Sequence, residues 1–349
     1  MTKSMSLSRI LRWVVTNWLV TDPDLRLDEP RRNYHTKTPT NRAHIYICGG
    51  RFKSTKQWPI HVGVLVVIVA GGVLFWVFEA SWLWHNVSPA LVIIFSYLWF
   101  LTTMFMVKTA GCDPGFAPKN THVSYSPHLI ESKNHKPPDE FFSTVSLPYY
   151  NDTHGTTVKY CVTCHIWRLP RMSHCNSCKS CVYVHDHHCV FMNNCIGFRN
   201  YRYFLWFLLL AVLTSVMLSV LGWIHTYHYR ISGRDNIDTF KDSISENPVA
   251  FLLALYGLCG FVYPAMLLIF HLFLSANNLT TREYLNFVRG TRHAPEDERY
   301  VNVYNTQSAW RNLWNAWWAM PQGVSSTDIR GRYKSGNLRH EPLKAFEAD

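Results

Sequence analysis

The stretch "CVTCHIWRLPRMSHCNSCKSCVYVHDHHCVFMNNC", residues 161–195, contains seven of the ten cysteines in the 349-residue chain. Two pairs in it, Cys161/Cys164 and Cys175/Cys178, have the Cys-x-x-Cys spacing that lets two thiolates reach one zinc ion at about 2.3 Å. Structural zinc binds four such ligands in a tetrahedron. The spacing therefore predicts that this stretch folds around metal ions.

The number of ligands allows two arrangements. Two tetrahedral sites need eight ligands, and the seven cysteines plus His174 supply eight with no thiol left for catalysis. If His174 and one member of the pair His187/His188 both bind metal, six cysteines suffice and one thiol is spare. Spacing alone leaves both arrangements open.

The segment "HDHHC", residues 185–189, is where a spare thiol would be useful. On an extended backbone His187 and Cys189 share one face, while His188 points to the other face and toward a metal. An imidazole beside a thiol is the arrangement that nucleophilic catalysis needs. Asp186 would hold the His187 ring in the correct tautomer, a role that requires the chain to bend at that point.

Membrane segments are indicated by the uneven distribution of apolar residues, which make up 48% of the chain. A helix that crosses the hydrocarbon layer needs about 20 apolar residues. Four stretches have about that length and almost no charge: Pro59 to Phe78, Pro89 to Val107, Phe204 to Ile224 and Pro248 to Leu274. Near-absence of ionisable side chains in these stretches argues against a transporter.

Lysine and arginine predict the orientation of these spans. The segment before the first span carries 11 of them, the first loop none, the middle segment 10, the third loop 3 and the segment after the fourth span 10. Cationic side chains stay on the cytosolic side, so we expect both termini and the middle segment to be cytosolic. Cytosolic thiols are reduced, which favours metal binding or catalysis over disulfides. Anionic lipid explains the net charge of +11, and no nucleic-acid partner is expected.

These observations predict an α-helical polytopic membrane protein with four transmembrane helices and a cytosolic, zinc-stabilised cysteine-rich domain between helices 2 and 3. The predicted division is as follows: residues 1–58, a cytosolic N-terminal segment; 59–107, helices 1 and 2; 108–203, a cytosolic segment with its cysteine-rich domain at about 159–204; 204–274, helices 3 and 4; and 275–349, a cytosolic C-terminal segment.

In the C-terminal segment, three tryptophans have the spacing of one helix face: Trp310, Trp314 and Trp317. Tryptophan prefers the boundary between membrane and water, so this pattern indicates a helix in the lipid headgroup region. Packing of the same face against the protein is the alternative.

The position of Cys189, about 15 residues before the third predicted span, suggests chemistry on lipid thioesters at the membrane surface. The acyl chain would stay among the helices while its soluble carrier stays in water. Four nearby cations are candidates to attract the phosphates of coenzyme A: Arg168, Arg171, Arg199 and Arg202. The alternative is a zinc-scaffolded membrane adaptor without turnover, which the spacing does not exclude.

Residues 161–204 strongly resemble the Asp-His-His-Cys (DHHC) cysteine-rich domain of the protein S-acyltransferases, or palmitoyltransferases. Four spans around this domain, "DPG" at 113–115 and "TTRE" at 280–283 are similar to the same family. The segment "ICGGRF" at 47–52 and the overall layout resemble the fungal Ras palmitoyltransferases. Departures occur at Leu169, Val190 and Phe191, where the family usually has proline, proline and tryptophan.

This resemblance implies a role for each residue. Cys189 would be the acyl-accepting nucleophile, His187 the general base and Asp186 its orienting partner. Two structural Zn²⁺ ions would be bound, one by Cys161, Cys164, His174 and Cys181, the other by Cys175, Cys178, His188 and Cys195. Thr281 and Glu283 would tie the C-terminal segment to the catalytic domain, and Asn305 and Asn312 belong to what resembles a C-terminal packing motif.

The resemblance also implies the substrates and setting. Palmitoyl-CoA would be the acyl donor, and cysteines of membrane-associated proteins, above all Ras-type GTPases, the acceptors. An accessory subunit like that of the fungal Ras palmitoyltransferase is expected. The expected location is the endoplasmic reticulum membrane.

Overall fold

The computed structural model describes residues 44–47, 52–55, 58–117, 144–147, 156–164, 166–228, 239–288, 295 and 302–319. The segments before residue 44 and after residue 319, and most of "ICGGRF", therefore lie outside the described residues. Within the described part the chain divides into two compact units. One, the membrane unit, comprises residues 59–109 and 203–273; the other, the cysteine-rich unit, comprises the remaining described residues.

The chain begins with a hairpin and two long helical segments. In order these elements are β1 (His44–Ile47), β2 (Phe52–Thr55), α1 (Pro59–Leu74), a π-helical turn (Phe75–Glu79), α2 (Ala80–Asn86) and α3 (Pro89–Gly111). The π-helical turn continues α1 into α2, so the first apolar helical segment extends over Pro59–Asn86. It is longer than the predicted span, which ends at Phe78.

Short strands follow, and then the remaining helices. The strands are β3 (Thr144–Leu147), β4 (Thr156–Cys161), β5 (Ile166–Trp167), β6 (Ser173–Cys175), β7 (Ser180–Val182), β8 (His187–Cys189) and β9 (Asn194–Ile196). The helices are α4 (Tyr201–Tyr227), α5 (Phe240–Glu246), α6 (Pro248–Ala276), α7 (Thr281–Glu283), a second π-helical turn (Tyr284–Val288) and α8 (Ala309–Trp317).

Four helical segments are long and apolar enough to cross a membrane: Pro59–Asn86, Pro89–Gly111, Tyr201–Tyr227 and Pro248–Ala276. The candidate metal ligands lie between the second and third of them in sequence. The predicted helical architecture is therefore confirmed. Each segment extends beyond its predicted span, because apolarity marks the membrane-embedded part and hydrogen bonding lets a helix continue past it.

Close contacts between backbones hold the membrane unit together. A Cβ atom placed on Gly222 of α4 would lie 2.6 Å from the Ala250 carbonyl oxygen of α6, and one on Gly257 of α6 would lie 2.6 Å from Ser215 O of α4. Small residues let membrane helices approach this closely. Any larger side chain at either position would push α4 and α6 apart.

The cysteine-rich unit is built from antiparallel hairpins. β6 pairs with β7, β8 pairs with β9, and β3, β4 and β5 form a three-stranded sheet. The "DPG" turn packs beside these hairpins. Within the turn, Asp113 Oδ1 accepts hydrogen bonds from the backbone amides of Gly115 at 2.9 Å and Phe116 at 3.0 Å. Gly115 has a φ of 99°, which favours glycine, and its carbonyl oxygen accepts a hydrogen bond from Tyr183 N at 2.8 Å.

Helix α8 exposes a tryptophan face. Trp310, Trp314 and Trp318 are 74%, 54% and 53% exposed, while Asn312 on the other face is buried. The exposed face thus continues through Trp318, and Trp317, which was predicted to share it, is only half-exposed. Asn312 Nδ2 donates to Ala276 O at 2.8 Å and to Asn305 Oδ1 at 2.8 Å, which ties α8 to the end of α6.

Candidate active site and metal centres

The first group of candidate metal ligands brings together Cys161, Cys164, His174 and Cys181. His174 Nδ1 lies 3.5, 3.3 and 3.8 Å from the three sulfur atoms, in that order. Cys161 ends β4 and Cys164 lies in the turn that follows, while His174 and Cys181 are the central residues of β6 and β7 and are directly opposite each other. Residues that are 20 positions apart in sequence are thus gathered by two strand pairings.

The second group brings together Cys175, Cys178, His188 and Cys195. His188 Nδ1 lies 3.7, 3.5 and 3.6 Å from the three sulfur atoms. His188 and Cys195 are partners in the β8–β9 hairpin. The two groups are interleaved in sequence, because β6 contributes His174 to the first and Cys175 to the second.

Both groups fit a tetrahedral zinc ion. Zinc–sulfur bonds of about 2.3 Å and zinc–nitrogen bonds of about 2.0–2.1 Å at the tetrahedral angle require sulfur and nitrogen atoms about 3.6 Å apart. The distances from sulfur to Nδ1 are 3.3–3.8 Å in the first group and 3.5–3.7 Å in the second. The donor sets, three thiols and one imidazole each, are of the kind found in structural zinc sites.

The ligands of the first group perturb one another's protonation. Hydrogen bonds from Cys164 and Cys181 hold the pKa of Cys161 well below its usual range, while hydrogen bonds to Cys161 and Cys164 raise the pKa of Cys181. Hydrogen bonds to Cys161 and Cys164 raise the pKa of His174 to about 9. The proton of one ligand is thus shared unequally within the group, which is expected where three thiols and an imidazole lie within hydrogen-bonding distance of one another.

Cys189 is a member of neither group among the described residues. It ends β8 and is buried, at 8% exposure, whereas Val190 and Phe191 immediately after it are 45% and 39% exposed. The register of β8 explains the division: His188 is opposite Cys195 of the second metal group, while His187 and Cys189 alternate to the other face. One thiol in the cluster is thus left beside an imidazole.

The imidazole of His187 lies between Asp186 and Cys189. His187 Nδ1 is 2.7 Å from Asp186 Oδ2, which leaves Nε2 as the ring nitrogen available to the thiol. Burial acts to lower the pKa of His187, but hydrogen bonds to Asp186 and Cys189 raise it to about 10. Asp186 directly precedes β8, and its backbone amide donates to Ile196 O at 2.9 Å.

Asp186 is itself held by the segment after the fourth long helix. Thr281 donates to Asp186 twice, from its amide to Oδ1 at 2.9 Å and from its hydroxyl to Oδ2 at 2.7 Å. Thr280 and Glu283 form a reciprocal cap on α7, in which Thr280 Oγ1 accepts from Glu283 N at 3.1 Å and Thr280 N donates to Glu283 Oε2 at 2.8 Å. The capped turn fixes the two Thr281 donors that orient Asp186.

Arg171 has a different environment from the one expected of a coenzyme A ligand. Its side chain is 1% exposed and forms a bidentate ion pair with Glu283, at 2.7 Å from Nε to Oε1 and 2.6 Å from Nη2 to Oε2. Nη2 also donates to Asn278 O at 2.9 Å, and the guanidinium lies 4.4 Å from the ring centroid of Tyr304. A guanidinium buried in these contacts is not available to a phosphate.

Several contacts were not predicted from the sequence. Asn194 Nδ2 donates to Ala110 O at 3.0 Å and to Cys112 O at 2.8 Å, which caps the end of α3. Asn193 exchanges hydrogen bonds with Thr55, 138 residues earlier in the chain. No local pattern marks these partners, because each pair is brought together only by the tertiary fold.

Comparison with known proteins gives a family match over the site. Residues 154–288 match the model of the DHHC palmitoyltransferase family. This range includes both groups of candidate ligands, Cys189 and the Thr280–Glu283 turn.

Similarity to curated proteins extends over nearly the whole chain. Palmitoyltransferase ERF2 of Debaryomyces hansenii is 47% identical over 344 residues, which cover 96% of this chain and 92% of that protein. Palmitoyltransferase ERF2 of Saccharomyces cerevisiae is 38% identical over 346 residues, covering 96% and 90%. Palmitoyltransferase erf2 of Schizosaccharomyces pombe is 37% identical over 246 residues, covering 69% and 68%.

Proposed function

We propose that Cys189 carries the acyl group, that His187 moves the proton and that Asp186 orients His187. The premise is that the chain belongs to the DHHC palmitoyltransferase family and is a protein S-palmitoyltransferase. The observation that supports this most directly is the position of His187. Its ring lies between a carboxylate held by Thr281 and a thiol outside both metal groups.

In the first half-reaction, His187 takes the proton of the Cys189 thiol, and the thiolate attacks the thioester carbon of palmitoyl-CoA. A new carbon–sulfur bond forms to Cys189 and the bond to the coenzyme A sulfur breaks. The proton on His187 passes to the departing thiolate. Asp186 stabilises the imidazolium that exists between these transfers, as the acid of a catalytic triad does.

In the second half-reaction, a cysteine of the acceptor protein gives its proton to His187 and attacks the acyl-enzyme. The acyl group moves to the acceptor and Cys189 returns to its starting state. One thioester replaces another, so the enzyme need not overcome an unfavourable equilibrium. Catalysis then depends on positioning the sulfur and the imidazole.

Zinc, when bound to the two ligand groups, supplies structural cross-links and not a reactive water. The first ion would be held by Cys161, Cys164, His174 and Cys181, and the second by Cys175, Cys178, His188 and Cys195. Each set uses all four tetrahedral positions for protein ligands, which is the pattern of a structural site. The second set includes His188, so its ion would fix β8 and thereby the backbone on either side of His187.

The acceptors, the partner and the membrane are proposed from the resemblance to the fungal Ras palmitoyltransferases. We propose Ras-type GTPases as acceptors, an accessory subunit as partner and the endoplasmic reticulum as the membrane. We also propose that both termini and the cysteine-rich domain are cytosolic, with the five-part division predicted from the sequence. The asymmetric distribution of lysine and arginine supports this orientation.

The test is acyl transfer to the enzyme itself. Full-length protein, purified in detergent with any copurifying partner, is incubated with labelled palmitoyl-CoA, and hydroxylamine-sensitive label and zinc content are measured. We expect Cys189→Ser to abolish the label with zinc content unchanged, and the matched variant Cys259→Ser to keep it. Label that survives in Cys189→Ser would refute the assignment, and folded wild-type protein without label would favour the adaptor.

A further inference from the structure

The hairpin that carries Cys189 is fastened by a contact to the segment before the first long helix. Thr55 Oγ1 donates to Asn193 Oδ1, and Asn193 Nδ2 donates to Thr55 O at 2.8 Å. Thr55 and Asn193 are 3% and 1% exposed. A buried amide stabilises a fold only when its donor and acceptor are both satisfied, so this reciprocal pair is a specific connection.

Asn193 occupies the position that determines the shape of the turn after Cys189. Its φ is 51°, in the left-handed region that asparagine tolerates better than most residues. The backbone N–H of Asn193 donates to Val190 O at 3.1 Å, which closes the turn between β8 and β9. Cys189 is opposite Asn194 in this hairpin, so a change at Asn193 shifts the strand end that bears the thiol.

The second half of this turn is hydrogen-bonded to other segments, and its first half is exposed. Asn193 binds Thr55, and the next residue, Asn194, caps carbonyl oxygens at the end of α3. Val190 and Phe191, between the thiol and these anchors, remain exposed. This arrangement fixes the backbone at Cys189 and leaves the apolar tip accessible to an acyl chain or acceptor.

We propose that Thr55 and Asn193 are positioning residues for Cys189. The hydroxyl of Thr55 fixes the Asn193 side chain, Asn193 fixes the turn, and the turn sets the position of the thiol relative to His187. Strand β2, which carries Thr55, thus helps to position the catalytic hairpin. This inference rests on the proposed role of Cys189.

The test compares two substitutions at Thr55 in the full-length protein. Thr55→Val removes the hydroxyl with little change in shape, and Thr55→Ser keeps the hydroxyl. We expect Thr55→Val to lower the rate constant of self-acylation at saturating palmitoyl-CoA by about tenfold, because a small displacement of a nucleophile has a large effect on rate. The half-saturating palmitoyl-CoA concentration and the zinc content should not change, and Thr55→Ser should acylate at nearly the wild-type rate.

A second variant tests the same pair from the other side. Asn193→Gly keeps the left-handed backbone conformation and deletes the amide. We expect it to slow acylation as much as Thr55→Val does, and the double variant to be no slower than either single one, because the two residues act as a unit.

Three results would overturn the inference: a wild-type rate in Thr55→Val, an equal loss in Thr55→Ser, or additive losses in the double variant. A loss of zinc that parallels the loss of rate would count against it as well, since that indicates a merely structural role. None of these results resembles failure of the proposed function itself, which would appear as label remaining in Cys189→Ser or as folded wild-type protein without label.

Discussion

At the scale of single residues, three side chains in series set the protonation of the site. Thr281 orients Asp186, Asp186 engages His187 Nδ1, and His187 faces Cys189. The pKa of His187 is raised to about 10, so the imidazolium form of the ring is favoured over the neutral form below that pH. In the proposed mechanism the proton that His187 accepts comes from Cys189, and the Asp186 carboxylate stabilises the protonated ring.

Asp186→Asn tests this series. The substitution removes the charge that raises the pKa of His187, so the ring holds the proton less strongly and the thiolate forms less readily. We expect self-acylation at pH 7 to fall by roughly a hundredfold or more, the scale of general acid–base catalysis. The rate in the variant should rise as the pH increases from 6 to about 8.5, the region where an ordinary thiol ionises.

The wild-type rate should change less over the same range, because the hydrogen bond to Asp186 raises the pKa of His187 and so favours the ring that holds the proton of Cys189. Asp242→Asn, a matched change in α5, should leave the rate and its pH profile unaltered. Equal pH profiles for the wild type and Asp186→Asn would contradict the role of the carboxylate.

At the scale of elements, the buried ion pair of Arg171 with Glu283 joins the loop before β6 to the capped turn that holds Thr281. We expect Arg171→Met to lower the melting temperature strongly, because removing one partner of a buried ion pair costs about 3–5 kcal/mol. The matched control is Arg282→Met, since Arg282 is exposed. Thermal unfolding of the purified protein measures both.

The double variant separates charge from packing. In Arg171→Met/Glu283→Gln no unpaired buried charge remains, and the amide oxygen of glutamine still accepts from Thr280 N. It should therefore melt above the single variant Arg171→Met. If the two melt together, or if Arg282→Met is equally damaging, the ion pair is not what stabilises this junction.

Elements with local signals were predictable, and contacts between distant residues were not. Apolarity over about 20 residues predicted four membrane helices, and Cys-x-x-Cys spacing predicted metal ligands, because both depend on near neighbours in sequence. The contact between Arg171 and Glu283 joins residues 112 positions apart, and nothing near Arg171 distinguishes it from an arginine that binds phosphate. The alternation of side chains in β8, by contrast, followed from the backbone and separated His187 from His188.

At the scale of the whole chain, the first long helical segment shows why the ends of the spans were harder to predict. The first predicted span ends at Phe78, directly before the charged residue Glu79. In the structure it is 2% exposed and accepts a hydrogen bond from His225 Nδ1 of α4 at 2.7 Å. It also ends the π-helical turn that carries α1 into α2. A partner 146 residues away lets the helix continue past the carboxylate.

The contact between Glu79 and His225 therefore joins the first and third long helical segments, and Trp82 stacks on the His225 ring at 3.6 Å between ring centroids. We expect Glu79→Ala to lower the melting temperature, because a buried polar group left without its partner costs about 1–3 kcal/mol. Glu79→Gln should lose less, since its amide oxygen still accepts from His225. The matched control is Glu246→Ala at the exposed end of α5, which should melt like the wild type. An equal loss in Glu79→Gln and Glu79→Ala, or none in either, would show that this hydrogen bond does not hold the two helices together.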